Sequence, residues 1–237
     1  MLRRYQIAVA SLILCLAVTL PAQTTSASSA GSTAAQPTVT FTLDFPESVP
    51  SHYSISVAKD GSASYDSMGK LTPEAEGDPF SYTFTMSPAN VARLFELSAK
   101  AKYFSEDVEY RKGRQANTGK KTLAFLDASE HHEVTYNYSD HTPIQQLTRL
   151  FQSIASTMEF ARRLREFHRY QRLALEEELK RMEEMSKDKD PRSRDLEEMQ
   201  AIAPILHEIF DDKTVLNISR ARAQRLLAVA QASVDQP

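Results

Sequence analysis

Val39-Thr40-Phe41-Thr42-Leu43-Asp44-Phe45 decides the fold, because its apolar residues recur at every second position up to Pro46. Side chains two apart share one face of a strand, so the run reads as a strand with one greasy and one wet side. The pattern returns at Tyr53, Ile55 and Val57, passes a tight turn at Asp60-Gly61, and resumes at Ala63 and Tyr65. An apolar alternation broken by Asp-Gly is a hairpin signal. Phe80, Tyr82, Phe84 and Met86 supply a further strand by the same logic.

Ser87 then stands where an N-cap is needed, and Pro88 occupies a first helical position, where a missing N–H is harmless. Val91, Leu94, Phe95 and Ser98 carry the helix to about Lys100, against the apolar face of the sheet. A polar stretch from Ser105 to Gly119 reads as a long loop, which length alone marks as functional or mobile. Leu123 and Phe125, then Val134, Tyr136 and Tyr138, complete the strands, with a turn between them near Ser129 to His132.

The second half is helical. Thr142, Pro143 and Gln145 read as a capping-box start for a stripe of Ile144, Leu147, Phe151, Ile154 and Met158. No breaker precedes Ser186, so a single helix of about 43 residues, roughly 65 Å long, is expected. Its apolar seam continues through Phe160, Leu164, Phe167, Leu175, Leu179 and Met182. A charged turn over 187–194 should send a second helix back, from Leu196 through Leu206 to Phe210, with Pro204 as a kink. Asn217 or Ser219 caps a last helix carrying Ala223, Leu226, Leu227 and Ala230.

The class expected is therefore α+β: an antiparallel sheet with a helix on one face, a long helix, and an all-helical C-terminal hairpin. In domain terms, residues 1–22 read as a signal peptide and 23–38 as a disordered linker. Residues 39–158 make the sheet domain, and 159–237 a charged helical extension of coiled-coil character.

Arg3 and Arg4 precede an uncharged run from Ile7 to Leu20, and Pro21-Ala22 follows. Fourteen residues span about 21 Å as a helix, short of the roughly 30 Å of a bilayer core, as befits a cleaved leader rather than a stable anchor. Cleavage is expected after Ala22 or Ala27. The lone cysteine, Cys15, would leave with the leader, so no disulfide is expected in the periplasmic or secreted chain. Leu14 before it is too bulky for a lipidation signal. Without Arg3 and Arg4 the chain has 26 basic and 31 acidic side chains, net −5. That balance argues against nucleic acid as a partner.

The succession Tyr53-Ser-Ile-Ser-Val57, Asp60-Gly61, Tyr65, Ser87 and Phe95, then Thr118-Gly-Lys-Lys-Thr122, resembles small uncharacterised domains of bacterial secreted proteins. The likeness spans residues 50–155. It implies a fold and an exported location, and carries over no catalytic set.

Candidate chemistry is sparse. Glu130-His131-His132-Glu133, with His141, is the densest set of metal-ligand types, but neighbours on a strand face opposite ways, so no shared ion is expected. Glu106, Asp107 and Glu109 on the long loop could pair as acid and base, and Tyr110, Arg111 and Arg114 could hold an anion; solvated loop charge is the expectation. Asn137-Tyr-Ser139 and Asn217-Ile-Ser219 match a glycosylation triplet that arises readily by chance. No nucleotide loop, nucleophile elbow or cofactor motif occurs, so no catalytic, cofactor or metal residue is assigned. An exported, non-enzymatic interaction module of the bacterial envelope is expected, with a periplasmic hydrolase using a loop carboxylate or His131 as the alternative. Its partner surface would be the loop or the helical extension. Leu175 and Leu179 either lie buried against Leu206 and Phe210 or form a docking seam for a partner or a second copy.

Overall fold

A computed structural model describes residues 36–70, 77–187 and 196–234, which belong to one compact unit. The residues expected to form a leader, most of the expected linker, and 188–194 of the expected charged turn lie outside the described residues. Six strands form one antiparallel sheet: β1 (Thr38–Asp44), β2 (His52–Ala58), β3 (Ser62–Gly69), β4 (Asp78–Thr85), β5 (Lys120–Leu126) and β6 (His131–Tyr136). Their order across the sheet is β4-β3-β2-β1-β5-β6.

The alternation does what it should. Val39, Phe41 and Leu43 on β1, Tyr53, Ile55 and Val57 on β2, and Leu123 and Phe125 on β5 are all buried on one face. The other face is rich in hydroxyls: Ser81, Asp66, Ser54, Thr42, Thr122 and Thr135 make one row across all six strands. Thr42 bonds Ser54 at 3.3 Å and Thr122 bonds Thr135 at 3.1 Å, so neighbouring strands satisfy each other's hydroxyls. Gly61 sits at φ +89°, and a Cβ there would stand 3.2 Å from the Met86 carbonyl, so the hairpin turn requires glycine.

Two helices lie on the apolar face. The first, α1 (Pro88–Lys100), is capped by Ser87 as expected and buries Val91, Leu94 and Phe95. The second, α2 (Thr142–Tyr170), crosses every strand. Thr148 meets Tyr136 of β6 at 2.6 Å, Phe151 stacks on Phe41 of β1 at 5.1 Å, Glu159 accepts hydrogen bonds from Tyr65 and Ser67 of β3, and Arg165 lies over Tyr82 of β4. From Thr148 to Arg165 the helix rises about 26 Å, and five strand intervals span about 24 Å, so one helix bridges the sheet from edge to edge. The buried core is continuous through the middle of α2, from Val39 to Ala230. Its N-cap is His141 without a side-chain bond, not Thr142, because Gln145 turns its amide to the Ser139 carbonyl at 2.9 Å instead of closing a capping box.

The expected 43-residue helix is two. Gln171 leaves helical geometry at φ −140°, ψ 70°, and α3 (Arg172–Lys187) turns back on α2. Arg163 meets Glu178 and Phe160 meets Arg181, pairs placed symmetrically about residues 170 and 171, as an antiparallel hairpin demands. The corner is held from outside: Asp212 binds His168 at 3.0 Å and Arg172 at 3.3 Å. A helix projecting alone would leave Leu175, Leu179 and Met182 in water, whereas here each is fully buried. The hairpin partner is also corrected. The helices along α3 are α2 and the last helix, α5 (Asn217–Val234), while α4 (Ala203–Asp211) lies along α5. Pro204 opens α4 rather than kinking it, after a short 3-10 turn at Met199–Ile202. No helix among the described residues is long and apolar enough to cross a membrane.

Candidate functional site

The two helices leave one end of the apolar face unroofed. Here Leu43, Phe45 and Tyr53 form the floor of a trough of about 920 Å³, flanked by α2 and ended by Arg181 and Met185 of α3. That volume is at the upper end for small-ligand sites. On α2 the lining residues Gln145, Arg149, Gln152, Ser156, Glu159 and Arg163 recur every three to four positions, a single helical stripe about 27 Å long. Gly119, at φ +89°, brings the 117–119 loop against the floor; a Cβ there would fall 2.6 Å from that of Phe45. The trough lies at the end of β1 opposite Thr38.

Lys121 lies at one end, buried, with its ammonium donating to the carbonyls of Thr118, Gly119 and Asn137 and to the Thr118 hydroxyl, at 2.8 to 3.1 Å. Burial pulls it down to about 8, with Glu109 opposing. With its ammonium donating to four oxygens, it acts as a clip between the 117–119 loop and the end of β6. Glu159 sits on the inner wall. One oxygen accepts from Tyr65 and Ser67 at 2.8 Å each, and the other from Arg162 at 3.0 Å. Burial, then the Glu159 charge, drives the Tyr65 hydroxyl far above its ordinary value, fixing it as a donor.

At the α3 end, the guanidiniums of Arg163 and Arg181 each lie 5.0 Å from the Phe160 ring and share one oxygen of Glu178, at 2.6 and 2.7 Å. They form a positioned pair of cations around one carboxylate. Among the described lining residues, the trough has four cations, Lys121, Arg149, Arg163 and Arg181, and one anion, Glu159.

The candidates suggested by sequence fall elsewhere. Glu106 pairs with Lys102 and Asp107 with Arg111, both exposed, while Glu109 accepts from the Asn137 backbone at 2.6 Å. The three loop carboxylates are thus engaged separately. Tyr110 packs edge-on against Tyr138, and Arg114 is exposed. His131 is exposed and His132 half-buried, on opposite faces of β6, and His141 lies 3.9 Å from Asp140. Glu130 is exposed on the turn and Glu133 shares the outer face with His131. Among the described residues no three metal-ligand side chains converge. Asn137 spends its side chain on Thr118 and Ala116.

What the sequence reading missed carried a signal. Lys121 stands at the inward parity of Lys121-Thr-Leu123-Ala-Phe125, and Glu159 interrupts an apolar run between Met158 and Phe160. Charge at an apolar position needs a partner and marks a built environment. No family model matches the chain, and no curated protein matches it either.

Proposed function

We propose that the chain is an exported, non-enzymatic binding module of the bacterial cell envelope, with the trough beside α2 as its ligand site. The observation that carries the reading is the 920 Å³ trough on an apolar sheet face otherwise roofed by α1 and α2. Its ionisable groups support binding over catalysis. Lys121 and Glu159 are spent on internal partners, and Arg163 and Arg181 are held in place by Glu178. They supply shape and field rather than an acid and a base of separated pKa. Because the α3 seam is buried within the chain, the contact surface belongs to the trough and not to that seam.

Native mass spectrometry of protein recovered from the host envelope tests this. The chain should begin at Gln23 or Ser28, lack Cys15, and carry an adduct that is lost when Ser156→Trp fills the trough. Full-length protein in the membrane fraction would reject export. Identical adduct-free spectra from wild type and variant, with no ligand shifting either melt, would reject the binding reading.

A further inference from the structure

We infer that the occupant of the trough is an extended acidic peptide segment, an inference that rests on the binding reading above. Length comes first. A stripe about 27 Å long matches about eight residues of extended chain at 3.3 Å each. Lining chemistry comes second. Asn137, Ser139, Gln145 and Gln152 line the trough together with Phe45, Tyr53 and Tyr138, so the walls offer no unbroken apolar channel for an acyl chain. A carboxamide both donates and accepts, as a peptide backbone requires of its neighbours. The side chain of Gln152, midway along α2 and half-buried, lines the trough and has no hydrogen-bond partner among the described residues, so its carboxamide suits such a backbone.

Charge comes third. Arg149 stands midway along the stripe and Arg163 with Arg181 at its α3 end, and Glu159, the one carboxylate among the described lining residues, is paired with Arg162 at 3.0 Å and with Arg163 at 3.6 Å. A guanidinium has five N–H donors in a fixed fork. Glu178 takes one nitrogen from each of Arg163 and Arg181 and Glu159 faces a second nitrogen of Arg163, so the other donors of the half-exposed Arg181 are the ones that suit a carboxylate arriving along the trough. Apolar side chains of the same segment would alternate onto the Phe45 and Tyr53 floor, while acidic ones meet the arginines, as the period of two in an extended chain allows.

The test is a displayed library of random octapeptides selected on the mature protein and counter-selected on Ser156→Trp, with Gln152→Trp as a second trough-filling variant and melts to show that both fold. Selected clones should be enriched in Asp and Glu, bind wild type at least about tenfold tighter than either variant, and weaken when their acidic residues become Gln. Arg149→Glu should cost the same clones about tenfold, chiefly at low salt. Clones with neutral or basic consensus, or none that distinguish wild type from both variants, would overturn the inference. Dodecyl phosphate is the comparison probe. If it binds wild type and not Ser156→Trp while no peptide does, the acidic-peptide class is wrong and the trough remains a binding site. If neither binds and no adduct is found, the binding reading itself fails.

Discussion

The sheet and the helical half of this protein are fastened in different ways. Each strand is placed by its own alternation and by neighbours satisfied locally, as when Thr40 meets Ser56 at 2.8 Å. Beyond α2, the helices are tied by carboxylates that gather several donors, at least one of them from another helix. Glu178 joins Arg163 to Arg181, Glu183 collects Lys187, Arg222 and Arg225, and Asp212 holds the Gln171 corner. Glu198, in the left-handed region at φ 61°, holds the Ser87 cap of α1 from 111 residues away, accepting from the Ser87 backbone and hydroxyl at 2.9 and 2.8 Å. Period-two burial needs no distant partner to be specified, whereas helix-on-helix geometry here depends on such partners.

The sharpest way to break that comparison is to attack the seam itself. Leu175→Asp with Leu179→Asp puts two carboxylates where both leucines are fully buried against the α2 and α5 side. The pair should cost at least about 4 kcal/mol, enough to unfold a marginal domain. Thermal melts should show the loss, and light scattering should show a monomeric wild type. A dimeric wild type that becomes a stable monomer would mean that the seam serves a second copy.

This division explains what could be read from residues alone. The six strands, the Gly61 turn and the Ser87 cap were legible because period two, Asp-Gly and Ser-Pro are local signals. The break at Gln171 was not. Tyr170-Gln171-Arg172 contains no Gly or Pro, and the helix ends there because Asp212, forty residues on, fixes both His168 and Arg172. The trough was hidden for a related reason. Gln145, Gln152 and Arg163 read as an ordinary solvated stripe until α3 folds back beside them, and the loop carboxylates that did stand out are consumed by Lys102, Arg111 and the Asn137 backbone.

A smaller effect is expected where the two halves meet. Glu159→Gln keeps an oxygen for Tyr65 and Ser67 but leaves the Arg162 guanidinium, whose side chain is 6% exposed, without its anion. Removing one member of a buried pair costs about 3 kcal/mol or more. Because the loss is the orphaned charge rather than the contact, Glu159→Gln with Arg162→Met should recover most of it in urea melts. An additive double variant would show that Glu159 fastens α2 to β3 on its own account.

The smallest effect belongs to the clamp between α3 and α5. Arg225 first, then Lys187 and Arg222, hold the Glu183 carboxyl well below its ordinary range. A carboxyl that is more acidic in the folded chain than in the unfolded one stabilises the fold above the unfolded value, and that contribution fades as protonation sets in on the acid side. Stability attributable to Glu183 should thus be complete at pH 7 and decline from about pH 5 toward pH 3. The side chains of Arg225 and Lys187 are 52% and 66% exposed, so water and salt screen much of the attraction, and Glu183→Gln should cost only about 1 kcal/mol at pH 7. Urea unfolding of both proteins between those pH values gives the difference directly. The wild-type advantage should shrink with acid and with added salt, leaving the slope that Asp212 contributes through the same sign of shift. An advantage unchanged from pH 7 to pH 3 would mean that packing of α5 on α3, not the Glu183 charge, holds the two helices together.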